Sequence, residues 1–363
     1  MVKINSPNTV LANALENTLD LLQPRIKLSN PKNIEFVIGT QINGKPHIGT
    51  HVVLTGAFVL AQKTREKYKI DVNVKFGALD NAPYEVVKKP DGIMYQKTFG
   101  HALETDELNY LINFYYIDFM KNLSALTNVP FEWSTYTSTQ KEPSFRSKFI
   151  NILDKNEQLR WITSPSNGDI RIRIPCPECK YSEKYATKTE IISRDNSHVV
   201  IRSYCYEHGW YESDLLANGE DNFYLDLNTL LRNIVKEADA SDKKDTLSVM
   251  VKGGDWTMSC SLIDLALGVI GYTADKTPMR IFTPEVITST GAKLSKSLIR
   301  EGDKTLDNVP PWILDMGLFA KHFQDDYAQR MIWLLEQFIS NPRHMFRSYN
   351  YNELVRLLEQ YGR

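Results

Sequence analysis

The sequence predicts an α/β fold: a parallel sheet covered by helices, a small cysteine-bearing ribbon inserted into it, and a short helical region at the C-terminal end. Three observations carry this. Ile34–Ile38 is a short, mostly apolar run that reads as a buried strand; a Gly/Asn/Pro break follows, then a helical pattern. β-prone runs return after helical ones at Val72–Phe76 and Val249–Val251, as in βαβ units. Between them, four metal-ligand side chains stand in two pairs.

The elements follow in order. Residues 1–30 read as an amphipathic helix, with Val10, Leu11, Ala14, Leu15, Thr18, Leu19 and Leu22 on one face and Pro24 ending it. Residues 34–80 read as a βαβ unit. Its helix runs from Ile48 to Tyr68, with Val52, Val53, Gly56, Ala57, Leu60 and Ala61 at steps of three and four. Residues 105–127 form a helix whose stripe of Leu108, Leu111, Ile112, Tyr115, Phe119 and Leu123 reads as core. A further helix covers 144–162, the ribbon fills 172–214, and a helix over 226–238 leads to a strand at 247–251. Ile281–Ile287 reads as strand and turn. Residues 310–363 read as short helices broken at Pro342.

Two short segments carry chemistry. The first is Asn43-Gly44-Lys45-Pro46-His47-Ile48-Gly49-Thr50. It places His47 and Gly49 where a strand hands over to a helix N-terminus. Free backbone N–H groups and the helix dipole make that an anion site. An imidazole there can donate to a phosphate as charge builds. The plainer alternative is an ordinary strand–turn–helix joint with an incidental histidine. The second is Gly291-Ala292-Lys293-Leu294-Ser295-Lys296-Ser297, which reads as an exposed loop. Two lysines among hydroxyls suit a clamp closing on a polyphosphate in the transition state; the plainer alternative is a solvated basic loop.

Taken together, the two segments resemble the "HIGH" and "KMSKS" signatures of class I aminoacyl-tRNA synthetases, here His47-Ile48-Gly49-Thr50 and Lys293-Leu294-Ser295-Lys296-Ser297. The fourth position of the first is Thr50, not histidine, and His51 lies one place further on. The Pro-His-Ile-Gly-Thr form resembles the class I lysyl-tRNA synthetases in particular. Leu79-Asp80-Asn81-Ala82-Pro83-Tyr84 is similar to that family's acidic loop near the amino-acid pocket. Lys252-Gly253-Gly254-Asp255-Trp256 resembles the Gly-x-Asp segment that holds the ATP ribose.

The resemblance spans roughly residues 30–300. It implies a Rossmann-like (HUP-type) domain that uses ATP and Mg2+ to activate an amino acid, lysine-like by preference, for the 3′ end of a tRNA. It implies catalytic roles for His47, Lys293 and Lys296, and nucleotide contacts from Gly44, Gly49, Thr50, Gly253 and Asp255. It implies substrate contacts from Asp80, Tyr84 and Trp256. The plainer reading of Asp255 is a cap for the helix after it. The chain departs from the family at Asp226–Arg232, where the family carries a tryptophan. About 60 residues follow the lysine loop, fewer than a separate anticodon-binding domain of typical size needs.

Cys176-Pro177-Glu178-Cys179 and Cys205-Tyr206-Glu207-His208 are separated by residues 180–204. Two knuckles of two ligands fill a tetrahedral zinc site and leave no open position, so the metal reads as structural. The alternative is a pair of buried cysteines. Cys260 reads as a packed core thiol. The lysyl-type synthetases carry such a ribbon between the halves of the catalytic domain. The expected division is therefore 1–171 with 215–304 as catalytic domain, 172–214 as ribbon and 305–363 as C-terminal region.

Composition is that of an ordinary folded protein, with 42% apolar and 24% charged residues. No run suits a membrane span, and no signal-peptide pattern opens the chain, so a cytoplasmic location is expected. Net charge is −1, which excludes a global basic field but not a local patch for tRNA. Arg171, Arg173, Lys180, Lys184 and Lys188 around the ribbon are candidates. Two other functions compete with the synthetase. One is a paralogue supplying an activated amino acid or aminoacyl-tRNA to an amide-forming pathway. The other is a non-catalytic nucleotide- or tRNA-binding module.

Overall fold

A computed structural model describes residues 10–362. Its centre is a parallel five-stranded sheet of Rossmann-like topology. The strands are β1 (Asn33–Gln41), β2 (Asp71–Leu79), β3 (Phe131–Thr135), β4 (Thr246–Gly253) and β5 (Met279–Thr283), in the spatial order β5-β4-β1-β2-β3. β1 pairs with β2 from Asn33↔Asp71 to Gln41↔Leu79, and with β4 from Asn33↔Thr246 to Val37↔Met250. The chain leaves β1 toward β2 on one side and reaches β4 on the other. The order reverses at β1, so a crevice opens at the carboxyl ends of β1 and β4.

Helix α1 (Ile48–Tyr68) crosses from β1 to β2. It is apolar on nearly every side because it is buried on nearly every side, by the sheet beneath and by the C-terminal helices above. Leu335 of the helix Tyr327–Ile339 lies against Gly56, and Lys63 pairs with Glu336 at 2.9 Å. Ile313, Phe319, Met331, Phe338 and Leu358 thus share one core with Phe36, Phe58 and Phe76. The opposite face carries helix α2 (Thr229–Ser241) and helix α3 (Thr257–Val269) over a second core that includes Phe149, Ile234, Val235 and Ile263. Cys260 is buried there, as expected of a packed thiol.

Strand Ile172–Arg173 pairs antiparallel with Asp226–Leu227, so the inserted segment leaves and re-enters side by side. Beyond this neck lies a three-stranded antiparallel sheet of Glu190–Arg194, His198–Cys205 and Gly209–Leu216. A hairpin of Pro83–Lys88 and Met94–Thr98 adds Ser182–Glu183 as a third strand and ties the insertion to the end of β2.

Two expectations about elements change. The single helix over 1–30 is instead a short helix Val10–Ala14, a 3-10 turn Thr18–Leu22 and a helix Gln23–Ser29; residues 1–9 lie outside the described residues. Asn17 and Asp20 form a capping box that starts the 3-10 turn. Pro24 sits at the start of the next helix, where its missing N–H costs nothing. The helix over 105–127 contains a π turn at Asn113–Ile117.

Candidate active site

β1 ends where Gly44 must adopt φ +144°, a conformation L side chains rarely take. His47 then caps α1: its Nδ1 accepts the Gly49 N–H at 3.1 Å, and its carbonyl accepts the Thr50 N–H at 2.9 Å. A Cβ on Gly49 would stand 2.9 Å from His47 Cε1, so glycine there lets the ring fold back onto the helix start. Burial, with Lys296 and Lys293 nearby, pushes the His47 pKa down to about 3. The neutral ring accepts at Nδ1 and therefore carries its proton at Nε2, as a hydrogen-bond donor.

The lysine segment is anchored more firmly than an exposed loop. Ile287 bridges antiparallel to Lys293, and the Leu294 N–H donates to the Val286 carbonyl at 2.9 Å. Leu294 is buried in the main core and holds the two flanking lysines at the crevice. Ser295 caps the helix Lys296–Glu301 by accepting the Leu298 N–H. The Lys296 ammonium donates to the Gln41 carbonyl and to Tyr116 Oη (2.7 Å for the latter), and burial pushes its pKa down to about 7. Lys293 pairs with Asp255.

Asp255 lies in a 3-10 turn after β4 and does not cap α3, whose N-cap residue is Trp256. Lys252 lies 4.7 Å from the Trp256 ring centroid and pairs with Glu237 at 3.2 Å. His47, Gly49, Thr50, Gly253, Asp255, Trp256, Lys293 and Lys296 all line one cavity of about 610 Å³ at the crevice. Gly44 lies just behind its wall, against the Lys296 side chain.

Asp80 and Tyr84 are not brought to this cavity. Asp80 is fully buried, where it accepts the Thr137 N–H at 2.9 Å and the Thr137 hydroxyl. Its pKa is raised by burial and held back by those bonds. Tyr84 is 54% exposed and packs edge-on against Phe99. Both follow from the chain's tight turn into the hairpin after β2. His51 points away from the cavity, buried and stacked on Phe119 at 3.9 Å between centroids.

Sequence reasoning missed Gln41, Tyr116, Arg232, Asn233 and Lys236. Arg232, Asn233 and Lys236 line the cavity from α2, whose polar stripe has the spacing of a solvated face. Arg173, taken for a surface cation, is half-buried and forks onto Asp226 with bonds of 2.7 and 3.0 Å. Asn81 donates to Asp226 at 2.8 Å and accepts from Arg232 at 3.1 Å. This network occupies the stretch where the resembled family has its tryptophan.

The four metal-ligand candidates converge. Ligand atoms of Cys176, Cys179, Cys205 and His208 all lie within 4.8 Å of one another. Cys176–His208, Cys205–His208 and Cys179–Cys205 separations are 3.4, 3.5 and 3.6 Å. Tetrahedral zinc with bonds of about 2.1–2.3 Å spaces its ligands by about 3.4–3.8 Å, so this donor set could hold zinc. The cysteines are free thiols. Lys180, at φ +65°, closes the first knuckle and Gly209, at φ +75°, the second.

No family model matches this chain, and no curated protein matches it. Among solved structures it is similar to a putative arginyl-tRNA synthetase from Campylobacter jejuni, at 9% identity and TM-score 0.40, over 93% of this chain and 72% of that one. A Mycobacterium tuberculosis methionyl-tRNA synthetase in complex with methionyl-adenylate matches at 13% identity and TM-score 0.45, over 91% and 68%. Thermus thermophilus arginyl-tRNA synthetase matches at 13% identity and TM-score 0.43, over 95% and 65%. Among the described residues, no helix is long and apolar enough to cross a membrane.

Proposed function

We propose that this protein activates an amino acid with ATP and passes the aminoacyl group to the 3′ end of a tRNA. One observation carries the reading. An imidazole from residue 47 and two ammonium groups from residues 293 and 296 meet at one crevice at the carboxyl edge of a parallel sheet. An amino-acid carboxylate oxygen attacks the α-phosphorus, the α–β bridging P–O bond breaks, and pyrophosphate leaves. His47 donates from Nε2 to a phosphate oxygen, while Lys293 and Lys296 take up the charge gathering on the leaving group. For this, Lys293 must exchange Asp255 for phosphate, which frees the Asp255 carboxylate to accept ribose hydroxyls. Gly49 and Thr50 line the start of α1, whose positive dipole end faces the phosphates while their own N–H groups stay on His47.

Mg2+ arriving with the nucleotide supplies charge neutralisation on the phosphates. Zinc held by Cys176, Cys179, Cys205 and His208 is structural and fixes the ribbon. In this reading residues 1–171 and 215–304 form the catalytic unit, 172–214 the ribbon and 305–363 a helical buttress. Ribbon cations sit over aromatic rings, Lys188 at 4.0 Å from the Tyr204 centroid and Arg171 at 5.9 Å from that of Tyr185. Such a surface suits a single-stranded acceptor end. The lysine-like preference rests on the resemblance alone.

ATP–pyrophosphate exchange with each common amino acid, with and without total tRNA, tests the proposal. Exchange with none of them refutes it.

A further inference from the structure

The α2 side of the cavity holds two cations without an ion-pair partner among the described residues. Arg232 lies at the end of the first turn of α2, and Lys236 one turn further along the same face. Both line the cavity, and Arg232 is 5% exposed. Among the described residues, neither has a carboxylate partner within ion-pair distance. The nearby acid, Asp226, is already forked by Arg173 and bonded by Asn81. Lys252, the other cation on this wall, has its own partner in Glu237 and donates to Asn233 at 3.0 Å.

Two unpaired cations in a half-enclosed site cost free energy unless an anion joins them. The nucleotide phosphates are poorly placed to do so. Lys296 is bonded to Tyr116, whose ring packs toward Phe76 on the α1 face of the sheet. Arg232 lies on the opposite face, over the Tyr136 ring, and holds Asn81. Glu142 and Asp239 line the far end, a further turn along α2, where Lys75 and Lys243 lie beside them and Lys243 pairs with Glu35 at 2.6 Å. Acid and base are mixed there; at Arg232 and Lys236 the nearby acids, Asp226 and Glu237, are already ion-paired to Arg173 and Arg280. Tyr136, Phe145 and Met250 supply apolar wall between.

We infer that the amino acid this cavity selects carries an acidic side chain, whose carboxylate is held by Arg232 and Lys236. This rests on the amino-acid activation proposed above and replaces a lysine-like side chain with one of opposite charge.

Isothermal titration of the full-length protein with L-glutamate, L-aspartate, L-glutamine, L-asparagine and L-lysine tests it. The expected result is that one dicarboxylic amino acid binds at least about tenfold tighter than its amide and than lysine, the gap a charge-assisted contact supplies. Arg232→Gln and Lys236→Met should each remove about tenfold or more of that preference while leaving ATP affinity within about twofold. Lys236 makes no side-chain hydrogen bond among the described residues, so K236M remains informative should R232Q fail to fold. Lysine or an amide binding as tightly as the acids, no acid binding at all, or variants that weaken ATP instead would overturn the inference. Acid binding without pyrophosphate exchange would sink the activation reading and leave the specificity standing. Exchange driven by lysine would do the reverse.

Discussion

Lys296→Met is the sharpest perturbation of the crevice. The ammonium now rests on the Gln41 carbonyl and the Tyr116 hydroxyl, two neutral acceptors at the end of β1. Neither compensates its charge, so a polyphosphate that gains negative charge during the reaction is its best partner. A charge-assisted contact made mainly in the transition state is worth about 3–4 kcal/mol, or roughly 10²–10³ in kcat. Pyrophosphate exchange should fall by that factor, with KM for ATP within about threefold of the parent. The pH profile adds a second readout. With the pKa pushed down to about 7, the ammonium is lost from the free enzyme as pH rises through that value. The kcat/KM for ATP should therefore decline above about pH 7, with the protonated form active. Lys296→Arg keeps its charge and should remove that decline even if the rate is lower. A methionine variant with normal kcat and a raised KM would show ground-state binding only, and would refute the transition-state role.

Three further outcomes follow from the structure. His47→Ala should lower kcat for exchange by about 10²-fold, and His47→Asn should recover only part of it although asparagine caps a helix well; full recovery in His47→Asn would point to capping of α1 alone. Protein prepared without added metal should contain close to one zinc per chain. Cys205→Ser should lose it and lower the melting temperature, whereas unchanged metal content would dismiss the four-ligand site. His51 is buried with both ring nitrogens unpartnered among the described residues, and its pKa is pushed down to about 3 by burial. The unfolded chain therefore takes up a proton below about pH 6.5 that the folded state refuses, and stability falls as pH drops from there. At pH 5 the cost is about 2 kcal/mol. Urea unfolding of His51→Phe should show a gain over the parent that widens from pH 7 to pH 5; a gap independent of pH would contradict the sign.

What could be read along the chain was whatever depends on local chemistry. The βαβ unit of residues 34–80 follows from apolar periodicity and the Gly/Pro break between strand and helix. The metal-ligand set follows from two knuckles whose spacing suits two tight turns. The placing of His47 at a helix start follows from its neighbours. The helix expected over residues 1–30 failed because Asn17 and Asp20 cap a new turn inside a continuous apolar stripe, and a cap overrides periodicity.

Tertiary structure decided what depends on residues far apart meeting. The reversal of strand order at β1 opens the crevice, and only the strand pairings reveal it. Asp80 looked like a substrate carboxylate but is spent on Thr137, because the hairpin after β2 folds it inward. Arg173 looked like a surface cation but neutralises Asp226, which leaves Arg232 without its nearest acid. An isolated sequence position carries its charge but not its partner. Whether a cation stands ready for a ligand is settled by which carboxylate reaches it once the chain has folded, and that is a property of the three-dimensional arrangement.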